Sequence, residues 1–308
     1  MLHDLSIVVG QVVTLFLLMS VGFVLAKTGW FSEKTISQMS HLLFYCVSPC
    51  IIIERLQIDG DVAFLVSLGE AFLCMASYYV IFLIIAQFLF RRQPEDKRVV
   101  YRFGTVFGNN SYMGLPLLEG VLGPSSVIYG VVAIITFNVF QWTVGVRMMG
   151  GKMSLKKCFI NPGILSLAAG MILFLLRIRL PAPVGQAVSS IADLNTPLAM
   201  VIIGAQMSRA DILGVFKMPL LYGAALMKMV VPPLVMIPLL LPFHLPPLVY
   251  CACVTLCACP TAGVTGIFAQ MFGRDTEAGA QMVTLSTLLC IITLPLFAAA
   301  ARQVAGLA

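Results

Sequence analysis

Two short stretches of this 308-residue chain concentrate the side chains able to hold a ligand. FGNNSYMGLPLLEG (107–120) sets Asn109, Asn110 and Ser111 among Gly108, Gly114 and Pro116. CACPTAGVTG (257–266) sets Thr261 and Thr265 among Pro260, Gly263 and Gly266. Proline removes an amide donor and glycine lowers the cost of leaving helical geometry, so Gly108, Pro116, Pro260, Gly263 and Gly266 mark two helix breaks. Broken ends expose N–H and C=O groups, and half-helix N-termini suit an anion. Asn109, Asn110, Ser111, Gly114, Pro260, Thr261 and Thr265 are therefore the expected substrate or ion contacts, Asn109 foremost. Plain helix capping is the alternative for the asparagines and serine, and bonding back to the own helix is the alternative for the threonines.

Other polar residues lie in apolar surroundings. Asn138 and Gln141, three apart, share one helical face, and Asn195 precedes Pro197. Each is expected either to face the same cavity or to bond between helices. Glu70 and Lys228 are ionisable residues in apolar stretches, expected as a buried ion pair or as carriers of a coupling proton. Glu119, just after the first break, is expected near a cavity mouth, with a coupling role open. CACVTLCAC places Cys253 and Cys257 on one face without His or carboxylate, so helix packing is expected, with no metal and no cofactor. H-E-x-x-H, G-x-S-x-G and Walker patterns are lacking, and no enzyme is expected.

The elements that must position these residues follow from composition. The chain is 60% hydrophobic and 10% charged, with a mean hydropathy of +0.99, which makes an integral membrane protein. Ten apolar windows are long enough to span a bilayer, at 5–26, 36–54, 62–90, 98–120, 125–146, 161–178, 184–207, 213–241, 245–272 and 277–300. The first carries Asp4 rather than a basic leader and has no clear cleavage site, so it reads as a retained span. Of nine cysteines, eight fall in windows and read as packing residues rather than disulfides. The net charge of +6 reflects topology. Lysine and arginine crowd alternate loops, notably Arg91, Arg92, Lys97 and Arg98, then Arg147, Lys152, Lys156 and Lys157, and then Arg209, Lys217 and Arg274. Arg55, Arg177, Arg179 and Arg302 fall on the other side. The positive-inside rule then puts both termini outside a cell membrane, and nucleic acid is not implied.

The basic loop at 148–159 divides the windows five and five, so 160–308 must insert upside down relative to 1–147. Pro49 then matches Pro197, Gly123 matches Gly273, and Asn110 falls opposite Pro260. Both halves interrupt their fourth span at the same place. Unwound backbone survives in a membrane only where protein buries it or it lines a cavity, and a paired interruption of this kind points to a transporter's binding site.

GNNSYMGLPLL, CPTAGVTGIFAQMFG and a late TLPLF together resemble the auxin efflux carrier family, which includes the plant PIN-FORMED auxin carriers and bacterial carriers such as those for malonate. The resemblance implies an all-α, bile-acid/sodium symporter-like fold of two inverted five-helix repeats, with spans 4 and 9 crossing at their breaks. It also implies a scaffold of spans 1, 2, 6 and 7, a mobile core of the other six, elevator motion and a homodimer. By motif position the family's asparagine is Asn109 and its span 9 crossover proline is Pro260. Its span 4 proline is replaced by Gly108, and the lysine of plant carriers by Gln270. The expected function is secondary transport of a small organic anion across lipid, proton-coupled or uniport. The alternatives are a sodium-coupled carrier of larger amphipathic anions and, from another class, a channel or ligand-sensing membrane protein.

Overall fold

The computed structural model describes residues 2–58, 62–153, 162–208 and 212–307. The loop at 148–159 lies outside them from residue 154 on, with Lys156, Lys157 and Cys158, as does Arg209. Among the described residues the regular structure is helical, without strands. Apolar sequence explains this, because in a lipid environment a helix satisfies its own backbone.

The helices are α1 (Leu2–Lys27), α2 (Glu33–Arg55), α3 (Val62–Ala86), α4 (Glu95–Val106), α5 (Leu115–Leu122) and α6 (Pro124–Met148). They continue with α7 (Pro162–Leu175), α8 (Ala182–Met207), α9 (Pro219–Phe243), α10 (Pro247–Cys257), α11 (Val264–Met271) and α12 (Thr276–Val304). Seven of them, α1, α2, α3, α6, α8, α9 and α12, are long and apolar enough to cross a membrane by length and composition. The count differs from ten for two reasons. The fourth and ninth windows are each split into shorter helices, α4 with α5 and α10 with α11, and 14 residues of α7 fall among the described residues.

Local chemistry sets several ends. The Ser32 hydroxyl accepts from the Thr35 N–H at the start of α2, and the Asp275 carboxylate accepts from the Ala278 N–H at the start of α12. Inside α9, Pro232 and Pro233 lack the N–H groups that would bond the carbonyls of Lys228 and Met229, and the helix kinks at Val230 (φ −109°, ψ −50°).

α1 packs most extensively on α8, and two glycines allow it. A Cβ at Gly22 would overlap the backbone of Val201, and one at Gly204 the backbone of Met19. Small residues at a membrane helix crossing let backbones approach this closely. α2 packs on α7 and α8, while α3, α6, α9 and α12 surround the split helices.

Gly204→Leu is expected to destabilise the protein by about 3 kcal/mol or more, because the obstacle is backbone. Thermal unfolding in detergent checks this against Gly10→Ala, whose added methyl meets nothing within 4 Å; equal melting temperatures would refute the close α1–α8 contact.

Candidate functional site

The two breaks meet. Between α4 and α5 the chain is extended at Gly108, and between α10 and α11 it is extended at Thr261; these two residues pair as an antiparallel bridge. The Asn109 N–H donates to the Pro260 carbonyl at 2.7 Å, and the Ala262 N–H donates to the Phe107 carbonyl at 2.9 Å. Two segments that leave helical geometry thus satisfy each other's backbone. Side chains reinforce the joint. Thr261 Oγ1 donates to the Gly104 carbonyl at 3.0 Å, and the Thr261 N–H donates to Ser286 Oγ at 3.1 Å. Phe107 stacks between Phe103, centroids 4.3 Å apart, and Tyr79, 5.6 Å apart.

Past the break a π turn, Asn110–Gly114, leads into α5. Asn109 Oδ1 accepts from the Tyr112 N–H at 3.2 Å, so this oxygen caps the second half-helix. Asn110 is buried; its Nδ2 donates to Tyr79 Oη at 3.3 Å and its Oδ1 has no partner. Ser111 is half-buried. At Gly114 a Cβ would stand 2.6 Å from Leu256 Cδ2, so this glycine lets α10 pack close. Pro116 is not part of the break. It sits in the first turn of α5, where the wider π turn, with the Leu115 N–H bonded to the Asn110 carbonyl, already accommodates its missing donor.

On the other arm, Gly263 precedes α11 and Thr265 is buried with Oγ1 unpartnered. Gly266 lies inside α11 rather than in the break; its Cα would be 3.0 Å from a Cβ at Gly279, so it serves the contact with α12. A cavity of about 460 Å³ opens beside this arm, lined by Gly263, Gly266, Gln206, Gln270, Thr276 and Thr284 among others. Gln206 Oε1 lies 3.7 Å from where a Gly263 Cβ would be. Gln206 and Thr284 carry no signal in the sequence beyond being polar in an apolar window.

Neither the crossing nor the cavity claims every expected residue. Asn138 Nδ2 donates to the Ile134 carbonyl one turn back at 2.9 Å, so this amide bonds within its own helix and not between helices. Gln141 and Asn195 are buried, with Gln141 Oε1 and Asn195 Nδ2 unpartnered. Glu119 pairs with Arg55 Nη2 and accepts weakly from Thr196 Oγ1 at 3.5 Å. The Glu70–Lys228 ion pair does not form. Lys228, 0% exposed, donates from Nζ to the Cys257 carbonyl at 3.1 Å and to Tyr78 Oη at 3.2 Å, while Glu70 Oε2 is left without a hydrogen-bond partner. Lys228 reaches the crossing instead, where a Cβ on Gly108 would stand 3.0 Å from its Cε and Nζ.

The domain described as membrane transport protein, that of the auxin efflux carriers and PIN proteins, matches over residues 7–153 and 150–298. The chain belongs to the auxin efflux carrier family. Members of that family are membrane transporters, and with seven helices among the described residues long and apolar enough to cross a bilayer this member is a multi-pass membrane protein. No curated protein matches the chain. For this auxin efflux carrier family member, the crossing also accounts for Gly108: the ammonium of Lys228 fills the space that a side chain at 108 would need.

Gly108→Ala is expected to cost about 1–3 kcal/mol through overpacking, and most of that cost should vanish in a Lys228→Ala background. A double-mutant cycle in thermal unfolding measures the coupling, and strict additivity would show that the two residues do not compete for space.

Proposed function

We propose that this protein is a secondary transporter of a small organic anion, a mono- or dicarboxylate, working by alternating access. The cavity beside the crossing carries the reading. The N-terminus of α11 opens on it at Gly263 without a side-chain cap. A helix N-terminus carries roughly half a positive charge and favours a carboxylate. Gln206, Gln270, Thr276 and Thr284 add hydrogen-bonding groups, and the lining includes no competing carboxylate. A volume of about 460 Å³ suits a small ligand.

An elevator division fits this placement. With α1, α2, α7 and α8 as scaffold and α3–α6 with α9–α12 as core, the cavity falls between Gln206 on the scaffold and α11 and α12 on the core. Arg274 donates to Asp96 Oδ1 at 2.8 Å and to the Met149 carbonyl at 3.0 Å, ties that stay within the core. The Arg55–Glu119 pair joins core to scaffold, and a sliding core would have to break it. Ten spans in two inverted repeats, both termini outside the cell membrane and a homodimer complete the reading. Proton coupling or uniport is favoured over sodium coupling, because neither break carries a carboxylate.

Proteoliposomes are expected to accumulate or exchange a labelled carboxylate from a mono- and dicarboxylate panel, with or without a proton gradient. No flux across the whole panel would sink the reading, and single-channel currents in a planar bilayer would replace it with a channel. Gln206→Leu should raise the half-saturating substrate concentration about tenfold or more, the loss expected for a hydrogen bond to a charged group worth ~1.5–3 kcal/mol.

A further inference from the structure

Lys228 poses a question that transport of an anion does not answer. Its ammonium is 0% exposed, yet both of its hydrogen-bond partners are neutral oxygens. A buried ammonium with no compensating charge is strongly unfavourable. The compensation comes from where those oxygens sit. Cys257 is the last residue of α10, and its carbonyl accepts from Nζ directly. Tyr78 accepts from Nζ and donates its own hydroxyl proton to the carbonyl of Val106 at 2.6 Å, and Val106 is the last residue of α4. The C-terminal ends of both broken helices therefore converge on one ammonium, one by direct contact and one through a single phenol. Each such end carries roughly half a negative charge, so the pair presents close to one.

Unwound carbonyls and half-helix C-termini are also what a broken-helix transporter offers a coupling cation. Here the covalently attached ammonium stands in that electrostatic position. Two further features fit an ion's place. Gly108 leaves the volume free, with Nζ 3.0 Å from the point where its Cβ would be, and the unpartnered Asn110 Oδ1 lies 3.3 Å from that same point. A buried acceptor without a donor beside a buried cation is a ligand in waiting.

We infer that Lys228 is a built-in cation. Its ammonium replaces the small monovalent metal ion that the two helix ends would otherwise bind, so the crossing holds together without sodium. Deleting the ammonium uncovers a site for an alkali cation among the Cys257 carbonyl, Tyr78 Oη and Asn110 Oδ1. The inference rests on the crossing alone and is independent of which substrate is carried, so it is tested without a transport assay.

The experiment is thermal unfolding of the purified full chain in detergent, with choline chloride balancing ionic strength. Wild type is expected to melt at one temperature in sodium, potassium or choline. Lys228→Ala should melt lower in choline and recover, saturably, as sodium or lithium is added. Lys228→Met, which fills the volume without the charge, should melt low and not recover. A wild-type melting temperature that rises with sodium would overturn the inference, since the site would then still need its metal ion. So would Lys228→Ala that is folded yet indifferent to alkali cations, or that fails to fold even when purified in sodium.

Discussion

Two backbone hydrogen bonds, Asn109 to Pro260 and Ala262 to Phe107, are the constraint on which the rest depends. An apolar interior offers broken helices no water, so each arm can open only if the other is there to satisfy it. That requirement accounts for the close approach at Gly104, where a Cβ would stand 3.1 Å from the Thr261 methyl, and for the dense aromatic packing of Phe103, Phe107 and Tyr79 around the joint. It is also why α3, α6, α9 and α12 enclose the arms: a bridge of two bonds is too small to stand alone and borrows its rigidity from the helices around it.

Breaking two helices at one place creates four helix ends, and the structure treats them by sign. The two negative ends, Val106 and Cys257, are drawn together on Lys228. The positive ends are handled separately. That of the first arm is capped by Asn109, while that of the second, at Gly263, faces the cavity without a side-chain cap. The asymmetry leaves one positive terminus without a side-chain cap.

Much of this is legible in the chain. The breaks can be read because glycine, proline and adjacent polar side chains rarely cluster in an apolar window unless the helix opens there, and the family can be read because both motifs are intact. Pro116 and Gly266 read as parts of the breaks because proline and glycine carry the same signal one turn away. Whether proline falls on a π turn, or glycine on a close α11–α12 contact, depends on the neighbours. Lys228 and Glu70 pair in the sequence for a similar reason: opposite charges in apolar windows suggest each other, whereas a helix C-terminus leaves no mark as a counter-charge in sequence.

By itself, then, the sequence determined what local chemistry controls: apolar helices, the positions where two of them must open, and membership of the auxin efflux carrier family. Only the tertiary structure decided what each opened group meets. Gly108 is bridged to Thr261 from opposite halves of the chain, and Lys228 finds Tyr78 150 residues away and Cys257 29 residues away. The reason is physical. Burial forces polar groups to find partners, but packing geometry chooses which ones.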